Sequence, residues 1–148
     1  MPVAIARFER FFRSAAGLDV DKSDLNRYDE FVNDKVSDLL IRAEANAKAN
    51  GRDVIAPQDL PITKGLQESI HQFRRLGEYG ELRPILDGLV RRPVLDLALG
   101  EDADQRLPDV AGGLSVALAQ SFRILDPDVK NPATEHWDRA FALFSLLL

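Results

Sequence analysis

The chain lacks cysteine altogether and contains one methionine, one tryptophan and two histidines among its 148 residues. Without cysteine there is no disulfide framework, no thiolate metal site and no cysteine nucleophile, which suits a reducing compartment. Two imidazoles are too few for a dedicated multi-histidine metal site. The sequence therefore predicts no metal centre and no bound cofactor.

Long apolar runs are also missing. Arg7, Glu9 and Arg10 interrupt the first twelve residues, so we expect neither a membrane span nor a secretory signal, and by exclusion we place the protein in the cytoplasm. A hydrophobic content of 45% with 29% charged residues excludes disordered and low-complexity chains. This length fits one globular domain that buries roughly 68–70% of its unfolded surface.

Helical periodicity dominates the first half of the chain. Apolar residues recur at three- and four-residue steps over 24–50 without a proline or glycine, which predicts one long amphipathic helix. Asp21 or Ser23 can cap its start, and Asn50-Gly51 can end it. A shorter helix precedes it and ends at Gly17. A third helix is expected from Pro57 to about Leu76, after an extended stretch.

The same short-long-short order recurs in the second half. The offset is 77 residues when Leu18 is set over Leu95, and 75 when Pro57 is set over Pro132, which indicates an internal duplication. The elements expected there are a short helix ending at Arg92-Pro93, a loop over Val94–Gly100, a long helix capped by Asp102 or Asp104, and a last helix opened by Asn131-Pro132.

An all-α protein of one domain follows, built from a first unit (1–76) and a second unit (77–148). A long helix with a wide apolar face cannot cover itself, so each unit must cover the other. Gly112-Gly113 is unfavourable inside a helix by about 1 kcal/mol per glycine. We therefore expect these glycines at the crossing of the two long helices, near Val36, where two backbones approach closely.

The stretch ANGRDVIAPQDL follows the first long helix and places Arg52 seven residues before Asp59. Its small residue, glycine, arginine, apolar pair and aspartate resemble the histone pattern, and this resemblance implies an Arg52–Asp59 clamp. In such a clamp, the extended loop returns the Arg52 guanidinium fork alongside the first turn of the next helix, where Asp59 meets it. The equivalent stretch of the second unit, DVKNPATE, has no matching arginine and places Thr134 near the aspartate position.

This order of helices and the Arg52–Asp59 spacing resemble the histone fold. Over almost its whole length the chain is similar to the bacterial single-chain double histone-fold proteins, through segments such as AAGLDVDKSDL, NAKANGRDVIAPQDLPITKGLQE and LDPDVKNPATEHWDRA. The resemblance implies an intramolecular pseudo-dimer in which the first loop of one unit lies beside the second loop of the other. It implies no activity, because that family has none established.

Histone pairs hold DNA at such loop edges, so the candidate nucleic-acid contacts are Lys22, Arg52 and Lys130. Both edges carry net acid, however. The edge formed by 18–24 and 126–132 has five aspartates against two lysines, and the edge formed by 51–57 and 96–104 has four more acidic than basic residues. Nucleic-acid affinity depends largely on basic groups that neutralise phosphates, so DNA binding is the second hypothesis.

Other chemistry is less well supported. Asp19, Asp21, Ser23 and Glu30 follow a calcium-loop spacing but lack its glycine. His136 and Asp138 lie two residues apart, too far around a helix to act together. Other features have ordinary explanations: the apolar face of the last helix belongs in the core, and the exposed arginines are solvated. The aromatic residues are Trp137, Phe141 and Phe144, and the arginines are Arg74, Arg75, Arg83, Arg91 and Arg92.

The sequence therefore predicts a non-enzymatic protein without catalytic residues. Its leading function is protein–protein association or scaffolding, including dimerisation through exposed faces of the pseudo-dimer. The alternative is a DNA-binding, nucleoid-associated protein of the histone type.

Overall fold

The structure, a computed structural model, describes residues 2–148, with side chains from Ile5 onward, and is all-α apart from two short strands. The helices are α1 (Pro2–Ala16), α2 (Lys22–Ala49), α3 (Lys64–Arg74), α4 (Tyr79–Leu89), α5 (Glu101–Leu125) and α6 (Thr134–Leu147). The strands are β1 (Val54–Ile55) and β2 (Ala98–Leu99), and one 3-10 turn spans Pro57–Asp59.

The long helix α2 begins and ends where its sequence signals are. The Asp21 carboxylate accepts a hydrogen bond from the Asp24 N–H at 2.9 Å, and the Asp24 carboxylate accepts one from the Asp21 N–H at 3.0 Å. This reciprocal capping box satisfies two backbone donors. Beyond the last turn, Gly51 has a φ of +71°, which a glycine adopts without steric penalty.

The third helix begins later than predicted. Pro57–Asp59 forms only a 3-10 turn, and Leu60 is extended with a ψ of 122°. Pro61 has no N–H to continue a helix and disfavours helical geometry in the residue before it. Thr63 then caps α3, because its side chain accepts from the Leu66 N–H at 3.2 Å.

The starts of α5 and α6 also differ from the predictions. Gly100, not Asp102 or Asp104, is the N-cap of α5, and its own N–H donates to the Ile55 carbonyl at 3.0 Å. α6 begins at Thr134 rather than at Asn131-Pro132, with the His136 Nδ1 accepting from the Ala133 N–H at 2.9 Å. Tertiary pairing and an imidazole cap decide both boundaries.

A single hydrophobic core runs through the molecule, with α5 at its centre. Residues from both 1–76 and 77–148 contribute to it, and α5 packs against the other five helices. In the first half of α2, the buried Tyr28 hydroxyl lies 2.6 Å from the Ser115 Oγ of α5. Ser115 already donates to the Ala111 carbonyl at 2.7 Å, so Tyr28 is the donor.

Two pairs of loops meet at opposite edges of the molecule. β1 and β2 pair in parallel, with Val54 opposite Ala98 and Ile55 opposite Leu99. At the second edge, the Asp19 N–H donates to the Lys130 carbonyl at 2.6 Å. In each case the loop before one long helix lies beside the loop after the other.

The glycine pair of α5 does not lie at the crossing with α2, which corrects the sequence prediction. A Cβ on Gly112 would lie 2.2 Å from the Phe73 ring, and one on Gly113 would lie 3.0 Å from the Ile70 backbone nitrogen. Both neighbours belong to α3. The glycines therefore allow α3, rather than α2, to approach α5 closely.

Among residues 2–148, no helix combines the length and the apolar character needed to cross a membrane.

We expect Gly113→Ala to destabilise the protein by about 1–3 kcal/mol, although alanine is the better helix former. The reason is that its Cβ meets the side chain and backbone of Ile70. Gly88→Ala in α4 is the matched control, since among the described residues a Cβ there meets nothing within 4 Å, and it should stabilise by up to about 1 kcal/mol. Urea unfolding measures both. A stabilised Gly113→Ala protein would contradict the close approach.

Candidate functional site

Arg52 and Asp59 pair across the loop that contains β1. The Arg52 Nε lies 3.4 Å from the Asp59 Oδ2, and the Arg52 Nη2 binds the Asp59 Oδ1. The Ala56 N–H donates to the same carboxylate at 2.8 Å, and the side chain of Asp59 is only 1% exposed. The hydrogen bond from Arg52, followed by that from Ala56, lowers the pKa of Asp59. The Arg52 guanidinium is thus bound by Asp59 within the protein.

The other two candidate nucleic-acid contacts lie at the opposite edge. Lys22 is the first residue of α2, and Lys130 lies next to Asp19 through its carbonyl. Both lysines are exposed. Asp19 is 3.5 Å from the guanidinium of Arg13. The structure therefore brings Lys22 and Lys130 to one edge and leaves Arg52 at the other.

Arg123 holds the second edge together, a role that the sequence analysis missed. Its guanidinium donates to the carbonyls of Ala16 at 2.6 Å, Val129 at 2.7 Å and Pro127 at 2.9 Å. It thereby joins the end of α1 to the loop after α5. The loop over 126–133 contains no arginine. This absence indicated that a donor from another element binds its carbonyls.

His136 pairs with Asp126, not with Asp138. Its Nδ1 accepts from a backbone N–H, so its Nε2 carries the proton and donates to the Asp126 Oδ2 at 3.0 Å. This hydrogen bond is the largest cause of the lowered pKa of Asp126. The imidazole therefore has a structural role at the start of α6.

The exposed arginines do not form one basic patch. Arg91 lies 3.3 Å from Asp29, and Arg92 lies 2.7 Å from Asp87 and 2.8 Å from Asp104. Arg74 and Arg83 both pair with Asp109. Of the five arginines, only Arg75 lacks an ion pair within the described part of the chain.

The calcium-loop residues have other partners. Ser23 donates to Asp21 at 2.7 Å, Asp21 caps α2, and Glu30 lies inside that helix. Within residues 2–148, no group of three or more histidine and carboxylate side chains is placed to hold a metal ion.

The aromatic face of α6 belongs to the core at its first turns. Trp137 is 1% exposed, its ring centroid lies 4.8 Å from that of Phe122, and its indole N–H donates to Asp24 at 3.1 Å. Burial raises the pKa of Asp24. Phe141 stacks on Phe31 with centroids 5.4 Å apart. These rings are not an open platform for nucleic-acid bases.

The surface that stands out is apolar and was not predicted. It comprises Ile124 (79% exposed), Leu143 (38%), Leu146 (80%) and Leu147 (68%), and we call it the C-terminal apolar face. Beside it runs a groove of about 470 Å³ between α3, α5 and α6, and all the described side chains that line it are uncharged. The run AFALFSLLL, apolar on more than one side of a helix, was the available signal.

The structure defines a helical protein with a central α5, two paired loop edges and an exposed apolar face. A family model described as a domain of unknown function (DUF1931) matches residues 8–145. The chain belongs to that family.

Similar proteins align with most of the length of this chain. An uncharacterized protein of Aquifex aeolicus (strain VF5) is 30% identical over 145 residues, covering 88% of this chain and 83% of the relative, and a second one is 28% identical over 122 residues, covering 82% and 71%. A crystal structure from Thermus thermophilus has 55% identity, a TM-score of 0.86 and 97% coverage of both chains. A crystal structure from Aquifex aeolicus has the same TM-score at 23% identity, covering 98% of this chain and 95% of the other.

We expect Arg52→Ala to lower the melting temperature by several degrees, because it leaves the buried carboxylate of Asp59 without its guanidinium partner. Arg75→Ala removes an exposed arginine without such a partner and should leave the melting temperature unchanged. Differential scanning calorimetry compares the two. Equal melting temperatures for Arg52→Ala and the wild type would show that the pair does not stabilise the loop.

Acid should weaken the fold at the same carboxylates. The pKa values of Asp59 and Asp126 lie below the ordinary 3.8, so their stabilising contributions are present above that value and are lost as pH falls through the folded pKa. We expect thermal stability to fall below about pH 4. Asp126→Asn should melt lower at pH 7 and show a shallower loss in acid; an identical acid profile would exclude this role.

Proposed function

We propose that this chain is a non-enzymatic histone-fold protein, formed by two tandem units packed as an intramolecular pseudo-dimer. We further propose that it acts by protein–protein association, with a second copy of itself as the partner. The C-terminal apolar face is the proposed contact surface.

Several contacts support the pseudo-dimeric arrangement. The parallel pairing of β1 with β2 and the Asp19–Lys130 hydrogen bond join the loops in the crosswise order that a pair of histone folds requires. Tyr28 and Ser115 join the two long helices between these edges. The Arg52–Asp59 ion pair supports the clamp that the resemblance to histones implies.

One observation carries the proposal of self-association. Ile124, Leu146 and Leu147 are more than two-thirds exposed, although leucine and isoleucine are among the residues most often buried. Ile124 and Leu147 line a groove of about 470 Å³ whose other described side chains are also uncharged. Contiguous apolar surface of this kind marks interaction sites in soluble proteins.

A second copy fits this surface because ridge and groove lie on the same face. Leu147 borders the groove that Leu66, Leu114 and Phe144 also line. In a two-fold contact, the same patch serves both subunits, so each copy can place its leucine ridge in the groove of the other. Such an apolar contact depends weakly on salt.

DNA binding remains the second candidate. Lys22 and Lys130 lie at one edge, beside the N-terminus of α2, where a phosphate would meet both positive charge and the helix dipole. Against this, Arg52 at the other edge is held by Asp59, and Asp19 and Asp128 flank Lys130.

We expect Leu146→Asp and Leu147→Asp each to raise the dimer dissociation constant at least about tenfold, because each places a carboxylate in an apolar contact. Sedimentation velocity over a range of protein concentrations measures this change. Val94→Asp is the matched control, since Val94 is also fully exposed but lies in the loop before β2. Its dissociation constant should equal that of the wild type.

The same samples separate the two functions. A wild-type protein that stays monomeric at all concentrations would overturn self-association. A gel shift of duplex DNA across a salt series tests the alternative, since phosphate contacts give a steep salt dependence. No retardation at low salt would remove DNA binding, whereas retardation that is lost in a Lys22→Gln, Lys130→Gln double variant would support it.

A further inference from the structure

A polar cleft at the opposite end of α5 has no part in the proposed association. It has a volume of about 500 Å³, and its walls come from the end of α3, from α4 and from the first turns of α5. We call it the arginine cleft. Its charged and polar lining consists of Arg74, Arg83, Asp102, Gln105, Arg106 and Asp109.

The Asp109 carboxylate positions two arginines of this cleft. The carboxylate accepts hydrogen bonds from the Arg74 Nε at 2.9 Å and from the Tyr79 hydroxyl at 3.0 Å, and the Arg83 Nε lies 3.3 Å from it in an ion pair. Burial, followed by the hydrogen bond to Asp109, raises the pKa of Tyr79, so the hydroxyl keeps its proton and donates. Two hydrogen bonds and one ion pair, from two helices, thus meet on one carboxylate and position the two arginines.

Arg74 and Arg83 keep guanidinium N–H groups that do not contact Asp109. Arg74 uses only its Nε for Asp109, and Arg83 uses its Nε for Asp109 and its Nη2 for the Gln105 carbonyl at 2.8 Å. Within residues 2–148, the guanidinium of Arg106 makes neither a hydrogen bond nor an ion pair. Several N–H groups of three guanidinium groups therefore line one cleft without a protein acceptor.

The charges of the cleft favour an anion. Asp109 is already neutralised by Arg74 and Arg83, and the remaining groups are Arg106 and Asp102, which lies four residues before it on α5. The three guanidinium groups exceed the two carboxylates by one positive charge. An anion that replaces water here gains charge-assisted hydrogen bonds.

We propose that the arginine cleft is a binding site for a phosphate group. A guanidinium is a planar fork that matches two oxygens of an oxyanion. A carboxylate offers two oxygens in one plane, whereas a phosphate offers three or more acceptor oxygens in different directions. Arg74, Arg83 and Arg106 reach the cleft from three helices, which is the arrangement that a tetrahedral oxyanion uses.

The cleft is remote from the surface proposed for association. Arg106 and Ile124 are separated by 18 residues of α5, a distance of about 27 Å along the helix axis. Variants in the cleft therefore leave the C-terminal apolar face intact. Failure of one proposal does not imply failure of the other.

The test is titration of the wild-type protein with inorganic phosphate at constant ionic strength, followed by calorimetry and by backbone amide NMR shifts. We expect saturable binding with shifts confined to residues around the cleft. Arg106→Gln should weaken binding about tenfold, the effect of losing one charged hydrogen-bonding partner. Asp102→Asn, which removes the cleft carboxylate four residues before Arg106, should tighten it.

Arg75→Gln is the matched control, since it removes the same charge from an exposed arginine that does not line the cleft. It should bind phosphate as the wild type does. Melting temperatures of the Arg106→Gln and wild-type proteins should coincide, because Arg106 has no internal ion pair to lose within the described residues.

A second titration, with a short DNA duplex, identifies the source of the phosphate. Binding of inorganic phosphate alone, lost in Arg106→Gln, indicates a small phosphorylated ligand. Duplex binding with the same dependence on Arg106 indicates a nucleic-acid backbone. The proposal is overturned if neither probe binds at millimolar concentration, or if Arg106→Gln and Arg75→Gln weaken binding equally.

Discussion

A helix that is apolar around most of its circumference cannot remain in water, and α5 imposes this constraint on the rest of the chain. Its central residues from Leu107 to Ser115 are all buried, so partners must surround it on every side. α3 approaches most closely, because Gly112 and Gly113 present no side chains there. The remaining helices complete the cover. Residues of both halves of the chain therefore share one core.

The two loop edges are held together by different residues. At the first edge a loop arginine, Arg52, meets a buried aspartate, and backbone pairing of β1 with β2 sets where α5 begins. At the second edge the arginine comes from the preceding helix, and Arg123 gathers backbone carbonyls instead of a carboxylate. The two edges thus have the same loop arrangement but are held by different side-chain contacts.

This difference also explains what the sequence could and could not predict. The period of apolar residues identifies helices and their buried sides, so the order of six helices could be inferred. The Arg52–Asp59 pair was implied by the resemblance of ANGRDVIAPQDL to the histone pattern. It does not say which helix covers which side, and the partner of Gly112-Gly113 was therefore assigned to α2 instead of α3. The starts of α5 and α6 depend on the Ile55 carbonyl and the His136 ring. The contact to Ile55 is a tertiary hydrogen bond, and the His136 ring is a local cap. They set the helix starts in place of the aspartate and asparagine caps that the sequence predicts.

The buried middle of α5 leaves only its two ends for contact with other molecules. Its first turns are charged and carry Asp102 and Arg106, while its last turns carry Ile124 beside the leucines of α6. Several other charged groups are already paired internally, as Arg92 is with Asp87 and Asp104. Internal pairing withdraws those groups from external ligands, because an approaching partner would have to replace contacts that already exist. Selectivity for partners should consequently reside at the ends of α5, with polar recognition at one end and apolar recognition at the other.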